Sequence, residues 1–267
     1  MNRNHAIALL DSGIGGLTVV REINKQLPQE RIVYFGDTAR MPYGPRPQAE
    51  VRGFASQIIR FLLTQDVKLV IVACNTATAA GLPAYQQAYD LPIIGVIEPG
   101  VRAALHQTRT KRIGVIGTPG TIASKAYEDS LRTHDATVEI FSQACPLFVL
   151  LVENDLVNTP AAVCVAEEYL RPLREAGVDT LILGCTHYPL MAEVIGKVMG
   201  PEVTLISSAA ETAQEAKAIL SQQQSLRDDL AEPLRHRFFV SGNPKPFTQL
   251  AETLLAYQLE TYQVLLT

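Results

Sequence analysis

Short apolar runs separated by longer amphipathic stretches dominate the pattern of this chain. Runs of strand length recur at AIALL (6–10), RIVYF (31–35), KLVIVA (68–73), PIIGVI (92–97), RIGVIG (112–117), TLILG (180–184) and VTLIS (203–207). Their apolar residues are consecutive rather than alternating, as in strands buried on both faces. Most of the intervening segments have helical length. The segment 48–65, for example, carries Val51, Phe54, Ala55, Ile58, Ile59 and Leu62 at three- and four-residue spacing. Strands alternating with helices predict an α/β fold of parallel strands joined by crossover helices.

A weak internal repeat divides the pattern in two. IALLDSGIGGLT (7–18) and IGVIGTPGTIAS (113–124) both run from a strand through a glycine turn into a helix start. Two halves are therefore expected, beginning near Ile7 and Ile113. Glu98, Pro99 and Gly100 suggest a boundary turn, because proline drives its predecessor toward extended geometry and glycine permits a turn. After 207, helix-like stretches at 209–223 and 247–259 flank a strand candidate, RHRFFV (235–240). The expected division is 1–97 with 207–267 as one domain and 98–206 as the other.

Length and charge narrow the function. At 267 residues the chain exceeds a prior of about 150 residues per domain, which favours two domains. Hydrophobic residues at 47% and charged residues at 19% describe an ordinary globule. A net charge of −4, with no clustered positive segment, argues against nucleic acid or an anionic membrane as partner. No apolar run reaches the ~18 residues of a membrane span, and MNRNHAIALLDSG reads as a first strand rather than a signal peptide. Four cysteines without secretory features are expected as free thiols in a reducing cytoplasm. The expected partner is a small molecule.

Two of those thiols stand in matching places. Cys74 in LVIVACNTATAA and Cys185 in DTLILGCTHYPL each follow an apolar strand and precede a helix start, at the carboxyl edge where open α/β sheets bind ligands. Beside Cys74, Asn75 and Thr76 fall at a helix start that is suited to a carboxylate. Beside Cys185, Gly184 allows close backbone approach and His187 can adjust or assist the thiol. Two equivalent proton carriers facing one site suit inversion at a carbon centre: one removes a proton and the other returns one from the opposite face.

Other residues have competing explanations. Asp11 ends the first strand and can orient Cys74 or relay a proton, or else cap the helix starting near Gly15. Gly13, Gly15 and Gly16 lack the G-x-G-x-x-G dinucleotide pattern. The Gly- and Pro-rich loop 35–47 is a candidate lid with Tyr43 and Gly44 as contacts, or an ordinary turn. Glu153 can reach a site histidine or sit solvated at a helix end. Cys145 and Cys164 are expected in the core. With no CxxC or paired-histidine motif, and none for pyridoxal or nucleotide, neither metal nor cofactor is expected. A Cys–His hydrolase using Cys185 and His187, and an amino-acid-binding module with two lobes, are the competing functions.

Together IALLDSGIGGLTV, YFGDTARMPYGPR, VACNTATA, GVIEPG, GVIGTPGTI, CPLFVLLVE and LILGCTHYPL resemble the cofactor-independent aspartate/glutamate racemase family, on its glutamate side. The resemblance runs from residue 7 to about 207. It implies two similar doubly wound domains related by a pseudo-twofold axis, with the site in the cleft between them. It further implies racemisation of L-glutamate to D-glutamate for peptidoglycan. Cys74 and Cys185 would be the acid/base thiols, with Asp11 assisting the first, His187 the second, and Glu153 beside that histidine. The implied substrate-holding residues are Ser12, Tyr43, Gly44, Asn75, Thr76, Thr118, Thr121 and Thr186. Glutamate is the implied small-molecule partner, and a second copy of the chain, as a homodimer, is a candidate. The segment CPLFVLLVEND departs from many members, which carry proline after the valine and a further acid after the glutamate. By the same resemblance, aspartate racemases carry an acid where His187 stands.

Overall fold

The computed structural model describes residues 2–228 and 234–266. The chain begins with β1 (Ala6–Asp11), α1 (Leu17–Gln26), β2 (Ile32–Gly36), α2 (Gln48–Leu63), β3 (Val67–Val72), α3 (Asn75–Ala88) and β4 (Ile93–Gly95). Helix α4 (Ile97–Gln107) leads into β5 (Arg112–Gly117), α5 (Pro119–Ala123), α6 (Ala126–His134), β6 (Glu139–Ala144), α7 (Pro146–Glu153), α8 (Pro160–Glu175) and β7 (Thr180–Gly184). A short 3-10 helix (Tyr188–Met191), α9 (Ala192–Met199), β8 (Thr204–Ile206), α10 (Ser208–Gln222), β9 (Arg237–Val240), α11 (Pro244–Leu255) and β10 (Thr261–Gln263) complete it.

Two wholly parallel sheets result. One has the order β10-β9-β2-β1-β3-β4 and the other β6-β5-β7-β8. The chain moves from β1 out to β2 and returns on the other side as β3, and it repeats this with β5, β6 and β7. Each sheet is thus doubly wound, with a switch point between β1 and β3 and another between β5 and β7, where such sheets open a crevice. Because strand side chains alternate faces, β1 serves two cores: Ile7 and Leu9 join one cluster, Ala6, Ala8 and Leu10 the other. Strand β7 does likewise, with Leu181 and Leu183 on one side and Ile182 on the other. Burial on both faces explains the unbroken apolar runs.

Several local expectations change. Glu98, Pro99 and Gly100 form no boundary turn; they lie in the first turn of α4, where backbone N–H groups lack helical partners and proline removes nothing needed. The strand expected over 92–97 shrinks to β4 for the same reason. β6 was not expected at all: it is an edge strand carrying Glu139, Ser142 and Gln143, with none of its residues fully buried. The helix expected over 247–259 ends at Leu255, and the edge strand β10 follows. RHRFFV becomes β9 and pairs with β2. Cys145 is buried, but Cys164 is exposed, off the α8 stripe formed by Ala162, Ala166, Leu170 and Leu173. No helix among the described residues is long and apolar enough to cross a membrane.

Candidate active site

The carboxyl ends of β1 and β3 face those of β5 and β7 across one cavity. It is narrow and lined by Ser12, Pro42, Tyr43, Gly44, Cys74, Asn75, Thr76, Thr118, Val149, Cys185, Thr186 and His187. Ten of the thirteen residues singled out from the sequence are therefore on its wall. Asp11, Thr121 and Glu153 stand one layer behind, bonded to wall residues.

Cys74 is the N-cap of α3, directly after β3, so Asn75 and Thr76 open the helix. Burial pushes its thiol up to about 12; the negative charge of Asp11 adds to this, and a hydrogen bond from the Ala77 N–H only partly opposes it. Asp11 ends β1 fully buried. Its Oδ2 accepts the Gly13 N–H at 3.0 Å and its Oδ1 the Thr186 hydroxyl at 3.2 Å. Burial raises the Asp11 carboxyl above its usual range, although the His187 charge and these donors pull the other way. Asp11 is not the N-cap residue of α1, which is Gly16, but its carboxyl also bonds the Gly16 backbone at that helix start.

Cys185 has different company. Its Sγ lies 3.7 Å from His187 Nδ1, and His187 Nε2 is 2.6 Å from Glu153 Oε1. Burial alone would lower the imidazole, but the bonds and charges of Cys185 and Glu153 prevail and hold it well above its ordinary value. Cys185, His187 and Glu153 thus form a chain along which a proton can pass.

Polar groups close the rest of the cavity. The Thr76 hydroxyl is 2.9 Å from that of Thr118 and 3.3 Å from that of Thr121, and the latter two are 3.0 Å apart. Hydroxyls can rotate, so this cluster can turn its protons toward an anion. Asn75 Oδ1 accepts the Tyr127 hydroxyl at 2.6 Å, while its buried Nδ2 has no partner among the described residues. An orphaned buried donor on a cavity wall suits a carboxylate. The loop after β2 spans both sheets' edges. Tyr43 donates to Asp37, whose other oxygen accepts from Ser241 at 2.7 Å, and the Gly44 carbonyl accepts the Gly120 N–H at 2.8 Å. A Cβ on Gly120 would stand 2.9 Å from that carbonyl, so the loop needs glycine there.

Sequence reasoning missed Pro42 and Val149 on the wall, and Asp37, Tyr34 and Tyr127 behind it. Tyr34 donates to the Gly13 carbonyl at 2.7 Å and braces the turn after β1. Pro42 and Val149 lie in segments quoted above yet carry no chemistry of their own. Tyr34 lies in the quoted segment YFGDTARMPYGPR but reads there as a strand residue, and Tyr127, near the start of α6, lies in no quoted segment.

Residues 7–216 match the model of the Asp/Glu/Hydantoin racemase family. The chain is 49% identical over 263 residues to the glutamate racemase of Exiguobacterium sibiricum, covering 98% of this chain and 97% of that one. It superposes on a glutamate racemase isoform from Bacillus anthracis with a TM-score of 0.95 at 47% identity, covering 98% of each chain. The glutamate racemase of Francisella tularensis, solved in complex with D-glutamate, gives 0.91 at 36% identity, again over 98% of each. With its fold, its paired thiol turns and these likenesses in agreement, the chain belongs to the Asp/Glu/Hydantoin racemase family, among its glutamate racemases.

Proposed function

We propose that this protein interconverts L- and D-glutamate without a cofactor, using Cys74 and Cys185 as two bases on opposite faces of the α-carbon. One observation carries the reading: thiols ending equivalent strands of two different sheets line one small cavity. One sulfur, as thiolate, takes the α-proton; the electron pair left behind spreads into the carboxylate as enolate-like charge; the other thiol gives its proton to the opposite face. The threonine hydroxyls can stabilise that charge, and the free Asn75 amide can hold the carboxylate in ground state and transition state alike. Each such donor in a dry site is worth about 10²–10³ in rate, and a positioned acid or base about 10²–10⁴.

A thiol held as high as Cys74 is protonated at neutral pH before substrate binds. The α-ammonium of a bound amino acid brings the positive charge that makes its ionisation easier. Asp11 is the natural proton partner on that side, and His187 with Glu153 on the other. The segments 1–97 with 207–267, and 98–206, act as two lobes that shut water out when they close on the substrate. D-glutamate is the product, and we assign it to peptidoglycan synthesis in a reducing cytoplasm, where the four cysteines stay free as they are here.

The test is incubation with pure L-glutamate in D₂O followed by chiral analysis, with aspartate in parallel. D-glutamate carrying deuterium at the α-carbon is expected, and aspartate should turn over far more slowly. Failure to invert glutamate, or inversion without solvent label, overturns the reading. The 3.7 Å contact between Cys185 and His187 favours a second possibility, a Cys–His hydrolase. That scheme leaves Cys74 idle, and mass spectrometry of a trapped acyl-enzyme would reveal it.

A further inference from the structure

We infer that Tyr127 is a positioning residue for this reaction: its hydroxyl fixes the Asn75 amide with the NH₂ end toward the substrate carboxylate, and its ring braces the turn that carries Cys185. The inference rests on the racemase reading and adds a residue that touches neither substrate nor thiol sulfur.

Tyr127 is the second residue of α6 and 2% exposed. Lys125 before it adopts φ 58, the left-handed geometry that turns the chain into α6. From there the phenol reaches the other lobe and donates to Asn75 Oδ1 at 2.6 Å. Among the described residues no other acceptor is recorded for that proton. Burial keeps the phenol neutral and able to donate.

An amide has two unlike ends, and their orientation decides whether it attracts or repels a carboxylate. With Oδ1 held by Tyr127, Nδ2 is the end left over, and it is the one buried without a partner in a residue on the cavity wall. Rotated by half a turn, the same side chain would offer a carbonyl oxygen to an anion. The phenolic proton disfavours that rotation by about the worth of one net hydrogen bond.

The ring does separate work. A Cβ at Gly184, the residue before Cys185, would meet Tyr127 Cε2 at 3.0 Å and the Ile116 carbonyl oxygen at 2.6 Å. The ring therefore lies on the backbone just ahead of the second thiol. A Cβ at Gly100 of α4, the helix joining the two sheets, would stand 3.7 Å from the Tyr127 hydroxyl. One side chain thus bears on the residue after Cys74, the residue before Cys185 and the connecting helix. Tyr127 is not among the residues lining the cavity, so it acts through its neighbours.

A double-mutant cycle tests this in the full-length protein, with Tyr127→Phe, Asn75→Ala and the double variant. Racemisation of both enantiomers, calorimetric binding of D-glutamate and Tm are measured. Tyr127→Phe keeps the ring and should raise KM and weaken D-glutamate binding about 5- to 10-fold, with kcat changed less than about 3-fold. Added to Asn75→Ala, the same change should cost less than about 2-fold, because the group it orients is gone. Unchanged KM and binding in Tyr127→Phe overturn the inference. So does an equal loss in both backgrounds, which would mark a purely structural effect. If the unmodified protein fails to racemise glutamate, the racemase reading falls instead, and the binding cycle still decides the link between Tyr127 and Asn75.

Discussion

The two thiol turns are built to one plan and furnished differently. Cys74 and Cys185 each follow the third strand of a doubly wound unit, yet the first opens a full helix and the second leads into a single 3-10 turn. Beside Cys74 stands a buried carboxyl, Asp11, whose charge opposes ionisation of the thiol. Beside Cys185 stands an imidazole that Glu153 helps to keep protonated. A repeated fold can therefore bring two like atoms to one point while each half supplies its own proton chemistry. In the proposed two-thiol reaction, which takes a proton on one side and returns it on the other, the geometry must match, but the partners need not.

Alanine at either cysteine breaks the pairing outright. Cys74→Ala and Cys185→Ala should each lower racemisation by at least about 10³-fold in a circular dichroism assay, while Tm stays close to that of the parent. Full activity in one variant would show that its turn is no more than scaffold.

Replacing the partners ranks the two sides. His187→Asn is expected to reduce kcat/KM about 10²-fold, and Asp11→Asn about 10-fold. Enantiomers have equal free energy, so each loss must be the same in both directions. A reversed ranking would give the carboxyl side the greater share of the proton transfer.

Crowding one turn sharpens the contrast in stability. A Cβ on Gly15 would lie 2.3 Å from the Thr186 hydroxyl and 2.7 Å from His187 Nδ1, whereas one on Gly53 meets nothing within 4 Å. Thermal unfolding should show Gly15→Ala costing about 1–3 kcal/mol. Gly53→Ala, in the exposed face of α2, should gain about 0.5–1 kcal/mol. Equal shifts would mean that the Cys185 turn yields freely.

The mildest change alters the pH at which the second turn titrates. A histidine whose folded pKa lies above its unfolded value contributes stability that is complete below the ordinary histidine range and lost as pH rises through the folded value. His187 is such a case. In Glu153→Gln, NMR should show His187 titrating at lower pH, and the alkaline loss of stability should begin earlier. An unmoved titration would assign the shift to Cys185 alone.

Both thiol turns were legible in the chain because each couples a doubly buried strand, which reads as an unbroken apolar run, to an abrupt small polar turn. Asp11 was visible for the same reason. Strand β6 was not, since its edge position lets it carry Glu139, Ser142 and Gln143. Pro99 misled because its effect depends on position: it breaks a helix interior but not a first turn. The roles of Tyr127 and Tyr34 were not legible, since a tyrosine's hydrogen-bond partner lies wherever packing puts it.

Local pattern was thus enough to specify parallel strands, crossover helices and the edge at which ligand chemistry gathers, because periodicity and burial act over a few neighbouring residues. Bringing Cys74 and Cys185 to one cavity, orienting the Asn75 amide, and surrounding one sulfur with a carboxyl and the other with an imidazole depended on how the two sheets pack. Those contacts join residues far apart in the chain, and a long separation along the backbone leaves distance in space undetermined.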